Sequence, residues 1–164
     1  MNIYLTGLPG CGKSTVAAAY ANKSGCRLID TDDEIERREK MTIAELFRLK
    51  SEPYFRSAET AALRETCQYT DAIIATGGGS VLSTENMAIM RENGVIVLLQ
   101  RPLELILQTL DMKKRPLAFD QKAFFRLAEE RRALYIARCD HRVENVGTPE
   151  EAVQALMYLL KEIL

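Results

Sequence analysis

Two observations predict an α/β fold, with a five-stranded parallel sheet flanked by helices in three layers. Short apolar, β-branched runs alternate with helical segments along the whole chain, the order that βαβ units produce. The first such run, Asn2-Ile3-Tyr4-Leu5-Thr6, leads into Gly7-Leu8-Pro9-Gly10-Cys11-Gly12-Lys13-Ser14. That stretch matches G-x-x-x-x-G-K-[ST] at every fixed position and opens an alanine-rich helix over Thr15 to Ala21. In such a strand–loop–helix unit, backbone N–H groups curl round phosphate oxygens and the helix N-terminus adds partial positive charge. Gly10, Cys11, Gly12, Lys13, Ser14 and Thr15 are therefore the candidate triphosphate site, with Lys13 reaching the β/γ-phosphates and the Ser14 hydroxyl on Mg²⁺. The motif points to ATP or a similar nucleotide and is silent on the acceptor.

The remaining elements follow in order. Gly25 stops the first helix, and Arg27-Leu28-Ile29-Asp30 reads as the second strand. Asp30-Thr31-Asp32 stands at its carboxyl end, and a helix resumes at Ile35 to Arg38. Thr42-Ile43-Ala44-Glu45 is a capping box for a helix from Ile43 to about Lys50, and Ser51-Glu52-Pro53 starts another that runs to about Tyr69. Ala72 to Ala75 is the third strand and runs straight into Thr76-Gly77-Gly78-Gly79-Ser80. Ser83 or Thr84 caps a helix that Gly94 ends, and Val95 to Leu99 is a continuous buried strand. Pro102 begins a helix to about Leu110, Asp111 to Phe119 reads as a charged loop, and a long helix covers about Gln121 to Ile136. A fifth strand at His141 to Glu144 precedes the capping box Thr148-Pro149-Glu150-Glu151. The final helix should bury Val153, Leu156, Met157 and Leu160.

Composition narrows the class. At 164 residues, 47% of them hydrophobic, the chain suits one domain over 1–164 with a core of its own. A net charge of −1 offers no basic field for nucleic acid. The four cysteines, Cys11, Cys26, Cys67 and Cys139, form no C-x-x-C pattern and suit free thiols in a reducing cytoplasm. No apolar run approaches a membrane span, and a chain that begins on its first strand leaves no room for a signal peptide. No coiled-coil pattern appears, so a monomer is expected. His141, the single histidine, has no partner pattern and reads as structural.

Three further groups fall at carboxyl ends of strands or beside them, where open α/β sheets bind ligands. Asp30 and Asp32 lie two apart. Asp30 suits a water-mediated Mg²⁺ contact, and Asp32 suits a hydrogen bond from the hydroxyl to be phosphorylated; the competing use of either is to cap the next helix. Gly77, Gly78 and Gly79 imply positive φ or a close backbone approach to a ligand. Arg56, Arg131 and Arg132 are candidate carboxylate clamps because the guanidinium fork is planar and bidentate, and Arg115, in a cationic loop, is placed to close over the triphosphate.

Taken together, these residues resemble the shikimate kinase family, and the resemblance spans nearly the whole chain. It rests on Gly7 to Ser14, Asp30-Thr31-Asp32-Asp33-Glu34-Ile35-Glu36, Phe55-Arg56-Ser57-Ala58-Glu59, Gly77-Gly78-Gly79, Arg115-Pro116-Leu117, and Arg131-Arg132-Ala133-Leu134-Tyr135. It implies a P-loop kinase fold with a substrate-binding helical segment at about 31–60 and a lid at about 110–122. It also implies ATP and Mg²⁺ as cofactors and shikimate as the small-molecule partner, phosphorylated at its 3-hydroxyl on the way to chorismate. The family's roles fall on Lys13, Asp32 and the lid arginine Arg115 for catalysis, on Ser14 and water-mediated Asp30 for the metal, on Arg56 and Arg131 for the carboxylate, and on Gly77, Gly78 and Gly79 for the ring. Spacing to Tyr135 favours Arg131 over Arg132. The chain departs from the family at Gln108, where an arginine often contacts adenine, and at Ala133, where proline is usual. Two other readings stand beside this one: a gluconate or nucleoside monophosphate kinase, and a nucleotide-binding module without phosphotransfer.

Overall fold

A computed structural model of the chain describes residues 1–111 and 120–163. Arg115 and most of the expected lid lie outside the described residues.

Five strands form one parallel sheet: β1 Asn2–Thr6, β2 Arg27–Asp30, β3 Ala72–Ala75, β4 Gly94–Gln100 and β5 His141–Glu144, in the spatial order β2-β3-β1-β4-β5. The helices are α1 Lys13–Ser24, α2 Thr31–Glu39, α3 Ile43–Leu49, α4 Glu52–Thr66, α5 Thr84–Asn93, α6 Leu103–Thr109, α7 Gln121–Arg138 and α8 Pro149–Ile163, with a 3₁₀ turn at Ser80–Leu82. The central strand β1 is buried at every position, while the edge strand β2 has no buried position. This contrast is what a doubly covered parallel sheet requires of its middle and its rim.

The period-2 alternation of strand side chains splits the core into two layers. Ile3, Leu5, Ile73, Val95, Val97 and Leu99 point to one face, where Val16, Ile106, Phe124 and Leu156 cover them. Tyr4, Ile74, Ile96 and Leu98 point to the other face, against Leu63, Met87, Met90 and Tyr135. A third, smaller cluster, Ile35, Leu46, Phe55 and Ala62, ties α2, α3 and α4 to one another. The segment expected to bind the acceptor thus has an apolar core of its own. Each fully buried large side chain in it contributes on the order of 2 kcal/mol.

The strands lie where the sequence pattern puts them, while several helix limits move. α2 begins at Thr31 rather than Ile35, because the Asp30 carboxylate accepts the backbone N–H groups of Asp32 (3.0 Å) and Asp33 (3.4 Å) and caps the helix there. α4 ends at Thr66 rather than Tyr69. The last turn tightens to i→i−3 bonds, and the Asn2 side-chain amide takes the carbonyls of Thr66 (3.3 Å) and Tyr69 (2.8 Å). The capping boxes at Thr42 and Thr148 form as read, and Ser83, not Thr84, caps α5. Gly25 closes α1 in the left-handed conformation, at φ 77°. In α8, Ala152 is buried beside Val153, Leu156 and Leu160, while Met157 only packs partly against them.

Candidate active site

Parallel strands bring all their carboxyl ends to one edge of the sheet, and each of the five delivers a group there. β1 feeds the loop Gly7 to Gly12, β2 feeds Asp30, and β3 feeds Thr76 to Gly79. β4 leads to Arg101 and β5 to Asn145. The cleft between them has a volume of about 660 Å³ and is lined by Gly10, Gly12, Lys13, Ser14, Thr15, Asp30, Asp32 and Gly78 among others.

The phosphate loop is closed on itself. Lys13 is nearly buried, and its ammonium donates to the carbonyls of Gly7 (2.8 Å) and Leu8 (3.0 Å). Gly12 caps α1 at φ 97°, which side chains other than glycine rarely adopt. The Ser14 hydroxyl, exposed at the start of α1, donates to Asp30 at 2.5 Å. Asp30 therefore does two things at once: one carboxylate oxygen caps α2 and the other holds Ser14. Asp30 is thus the cap of α2, and both aspartates line the cleft. Cys11 is buried, and all four cysteines are free thiols.

Ser14 and Asp30 fit a magnesium ion by the chemistry of their donors, since both present oxygen at the mouth of the phosphate loop. Among the described residues there is no group of three or more His, Cys, Asp or Glu able to hold a metal. A pair of oxygen donors is what a metal held mainly by substrate phosphates and water needs from the protein.

The glycine triplet has no positive φ; its reason is close approach. A Cβ on Gly77 would stand 2.5 Å from Glu59 Oε1 and 3.0 Å from Asp32 Oδ1. On Gly78 it would meet the Pro9 ring at 3.0 Å, and on Gly79 it would run into the Arg56 guanidinium, 2.6 Å from its central carbon. The approach is thus to the protein's own candidate site residues. Thr31, fully buried, fastens this loop to α2: its hydroxyl accepts from the Gly77 N–H (3.1 Å) and donates to the Ala75 carbonyl (3.3 Å).

Arg56 lies half-buried on α4, held by Glu59 (3.1 Å) and Glu52 (3.2 Å). Glu59 is fully buried and also accepts from the Ser80 hydroxyl at 2.8 Å. Arg131 on α7 is 7% exposed, whereas Arg132 is exposed and lines a separate cavity of about 340 Å³ with Leu8, Cys11 and Tyr135. One turn on, the Tyr135 hydroxyl donates to the Gly78 carbonyl at 2.5 Å. Burial raises the Tyr135 pKa, with Arg131 beside it pulling the other way, so the hydroxyl keeps its proton and its role as donor.

The structure brings the phosphate loop, Asp30, Asp32 and Gly78 together in one cleft. Arg131 lines a neighbouring cavity of about 610 Å³ with Glu52 and Leu82, and Arg56 lines neither, its guanidinium standing beside Gly79. Gln108 is exposed on α6, and Thr109 and Leu110 beside it line the cleft. Sequence reasoning gave no role to Thr31, Glu59, Arg101 or Asn145. Glu59 carried a signal, a carboxylate three residues after a candidate clamp on one helix face. Asn145 carried another, its place at the carboxyl end of a strand in a parallel sheet.

Comparison with known proteins agrees with this geometry. A family model described as shikimate kinase matches residues 9–161. A shikimate kinase of Clostridium botulinum (strain Alaska E43 / Type E3) is 35% identical over 159 residues, covering 96% of each chain. One from Persephonella marina is 36% identical over 159 residues, covering 95% of this chain and 96% of that one. A solved structure of shikimate kinase from Acinetobacter baumannii in complex with shikimate superposes with a TM-score of 0.92 at 34% identity, over 99% of this chain and 93% of that one. The Aquifex aeolicus enzyme superposes with a TM-score of 0.87 at 33% identity, over 99% of this chain and 98% of that one. With the phosphate loop, the aspartate pair and the glycine triplet gathered at one sheet edge, and with relatives matching along nearly its full length, this chain belongs to the shikimate kinase family.

Proposed function

We propose that the chain transfers the γ-phosphate of ATP to the 3-hydroxyl of shikimate, giving 3-phosphoshikimate and ADP. The observation that carries this reading is the single cleft shared by the phosphate loop, Asp30, Asp32 and Gly78, within a chain of this family. In this reading Lys13 and the loop N–H groups hold the β- and γ-phosphates. Ser14 directly, and Asp30 through water, would hold Mg²⁺, which would offset the negative charge of the phosphates. Asp32 accepts the hydrogen bond from the 3-hydroxyl and takes its proton as the hydroxyl oxygen bonds to the γ-phosphorus and the bond to the ADP oxygen breaks. Arg56 and Arg131 grip the shikimate carboxylate, and the backbone of Gly77 to Gly79 lies against the ring. Arg115 is assigned to the transferring phosphate by family resemblance alone, being outside the described residues. Neither the gluconate or nucleoside monophosphate reading nor the non-catalytic module has an observation in its favour.

The test is coupled ADP release with ATP and Mg²⁺, with and without shikimate. Release that saturates with shikimate is the expected result. ATP binding without shikimate-dependent release would sink the named substrate. We also read the protein as monomeric and cytoplasmic. Support comes from its free thiols and from large exposed apolar residues that lie on separate elements, such as Leu49, Phe125 and Tyr158. Among the described residues no helix is long and apolar enough to cross a membrane. Elution on gel filtration at the mass of a dimer would overturn the monomer.

A further inference from the structure

Asn145 follows β5 directly, yet its side chain belongs to the phosphate loop 134 residues away in sequence. It is 4% exposed, and its Nδ2 donates to the Cys11 carbonyl at 2.8 Å. Its backbone is pinned from the β4 side. The Asn145 N–H donates to the Gln100 carbonyl at 2.7 Å, and its carbonyl accepts from Arg101 Nη1 at 3.0 Å. The side-chain amide is therefore presented from a held backbone. Its Oδ1 is buried and has no hydrogen-bond partner among the described residues. That arrangement leaves a buried acceptor unsatisfied, so the amide's one hydrogen bond, to Cys11, is what the buried side chain supplies.

The bond acts on the loop's most exacting peptide. Across a planar trans peptide the C=O and the following N–H point in opposite directions. Holding the Cys11 carbonyl toward β5 therefore turns the Gly12 N–H to the other side, beside the start of α1, where an anion is favoured. Gly12 and Asn145 are matched: a Cβ on Gly12 would stand 2.6 Å from Asn145 Nδ2. We infer that Asn145 is a positioning residue for phosphate binding, orienting the Cys11–Gly12 peptide from the far edge of the sheet without touching the nucleotide base or the acceptor. This rests on the ATP-binding reading above.

The experiment compares the wild-type chain with Asn145→Leu, which keeps the branching at Cγ with bulkier methyl groups and removes the donor. It uses titration calorimetry with ADP and with inorganic tripolyphosphate, followed by steady-state kinetics. Both ligands should bind about tenfold more weakly to the variant, with the ATP KM raised about tenfold, kcat within about twofold and the shikimate KM unchanged. Asn145→Ala carries the same expectation, so a leucine variant that fails to fold does not stop the measurement. Weakened ADP with unweakened tripolyphosphate would mean that Asn145 acts on the nucleoside, and would overturn the inference. Unweakened binding of both would overturn it too. A wild-type chain that binds neither ligand overturns the ATP reading, and this inference with it.

Discussion

The two sides of the cleft are built by different means. The donor side proposed above is one contiguous loop on a fully buried strand, drawing on backbone N–H groups and the first residues of α1. The acceptor side proposed above would draw on side chains of α2, α4 and α7 around the β3 loop, and a small core of Ile35, Leu46, Phe55 and Ala62 ties α2 and α4 to α3. A backbone site depends on local conformation and tolerates side-chain change except where φ is special. A side-chain site depends on long-range packing and on salt-bridged partners, such as Glu59 beneath Arg56. Damage to the acceptor side should therefore leave nucleotide binding intact.

Three substitutions test that separation, taken from the largest effect down. Asp32→Asn should lower kcat by about 10³-fold while ADP affinity stays within about twofold, measured by steady-state assay and calorimetry. A variant that keeps its rate removes Asp32 from the chemistry. Gly79→Ala sets a methyl group against the Arg56 guanidinium and should raise the shikimate KM by about 10²-fold with the ATP KM unchanged. Loss of ADP binding in that variant would join the two sides of the cleft. Glu59→Gln keeps the shape of the side chain and removes the charge that holds Arg56, so the shikimate KM should rise about tenfold with kcat nearly unchanged. An equal fall in kcat and kcat/KM would instead place Glu59 in the transition state.

The smallest effect concerns stability. Thr42→Ala removes the hydroxyl that accepts the Glu45 N–H at 3.2 Å and should lower Tm by about 3 °C, read by thermal melt. The reciprocal half of that cap depends on pH. Hydrogen bonds from the Thr42 backbone N–H and then its hydroxyl hold the Glu45 carboxyl below its ordinary pKa. Its contribution is therefore present above the unfolded pKa and is lost as pH falls through the folded one. The Tm difference between Glu45→Gln and the wild-type chain should accordingly shrink on acidification, and a difference independent of pH would break that assignment.

Legibility followed the same division. The phosphate loop could be read in full because its residues are adjacent and its glycines and lysine answer to local geometry. Asp30 and Asp32 could be located, but not assigned between capping and chemistry, since both uses suit a carboxylate at a helix start. The choice between Arg131 and Arg132 leaned on spacing to Tyr135, and burial of one and exposure of the other now stand beside it. Glu59 and Thr31 passed without a role because a single glutamate or threonine on a helix is ordinary until its partners 21 and 46 residues away are known.

The sequence by itself determined the strands, the caps of α3, α4 and α8, the phosphate loop and the reaction class. Those depend on hydrophobic period, on φ and on side-chain-to-backbone bonds spanning a few residues. The tertiary structure alone decided why the three glycines are needed, which acid supports Arg56, and that Asn145 reaches the Cys11 carbonyl. Those facts are distances between residues far apart in the chain, and they exist only once the parallel sheet has carried every strand's carboxyl end to one edge.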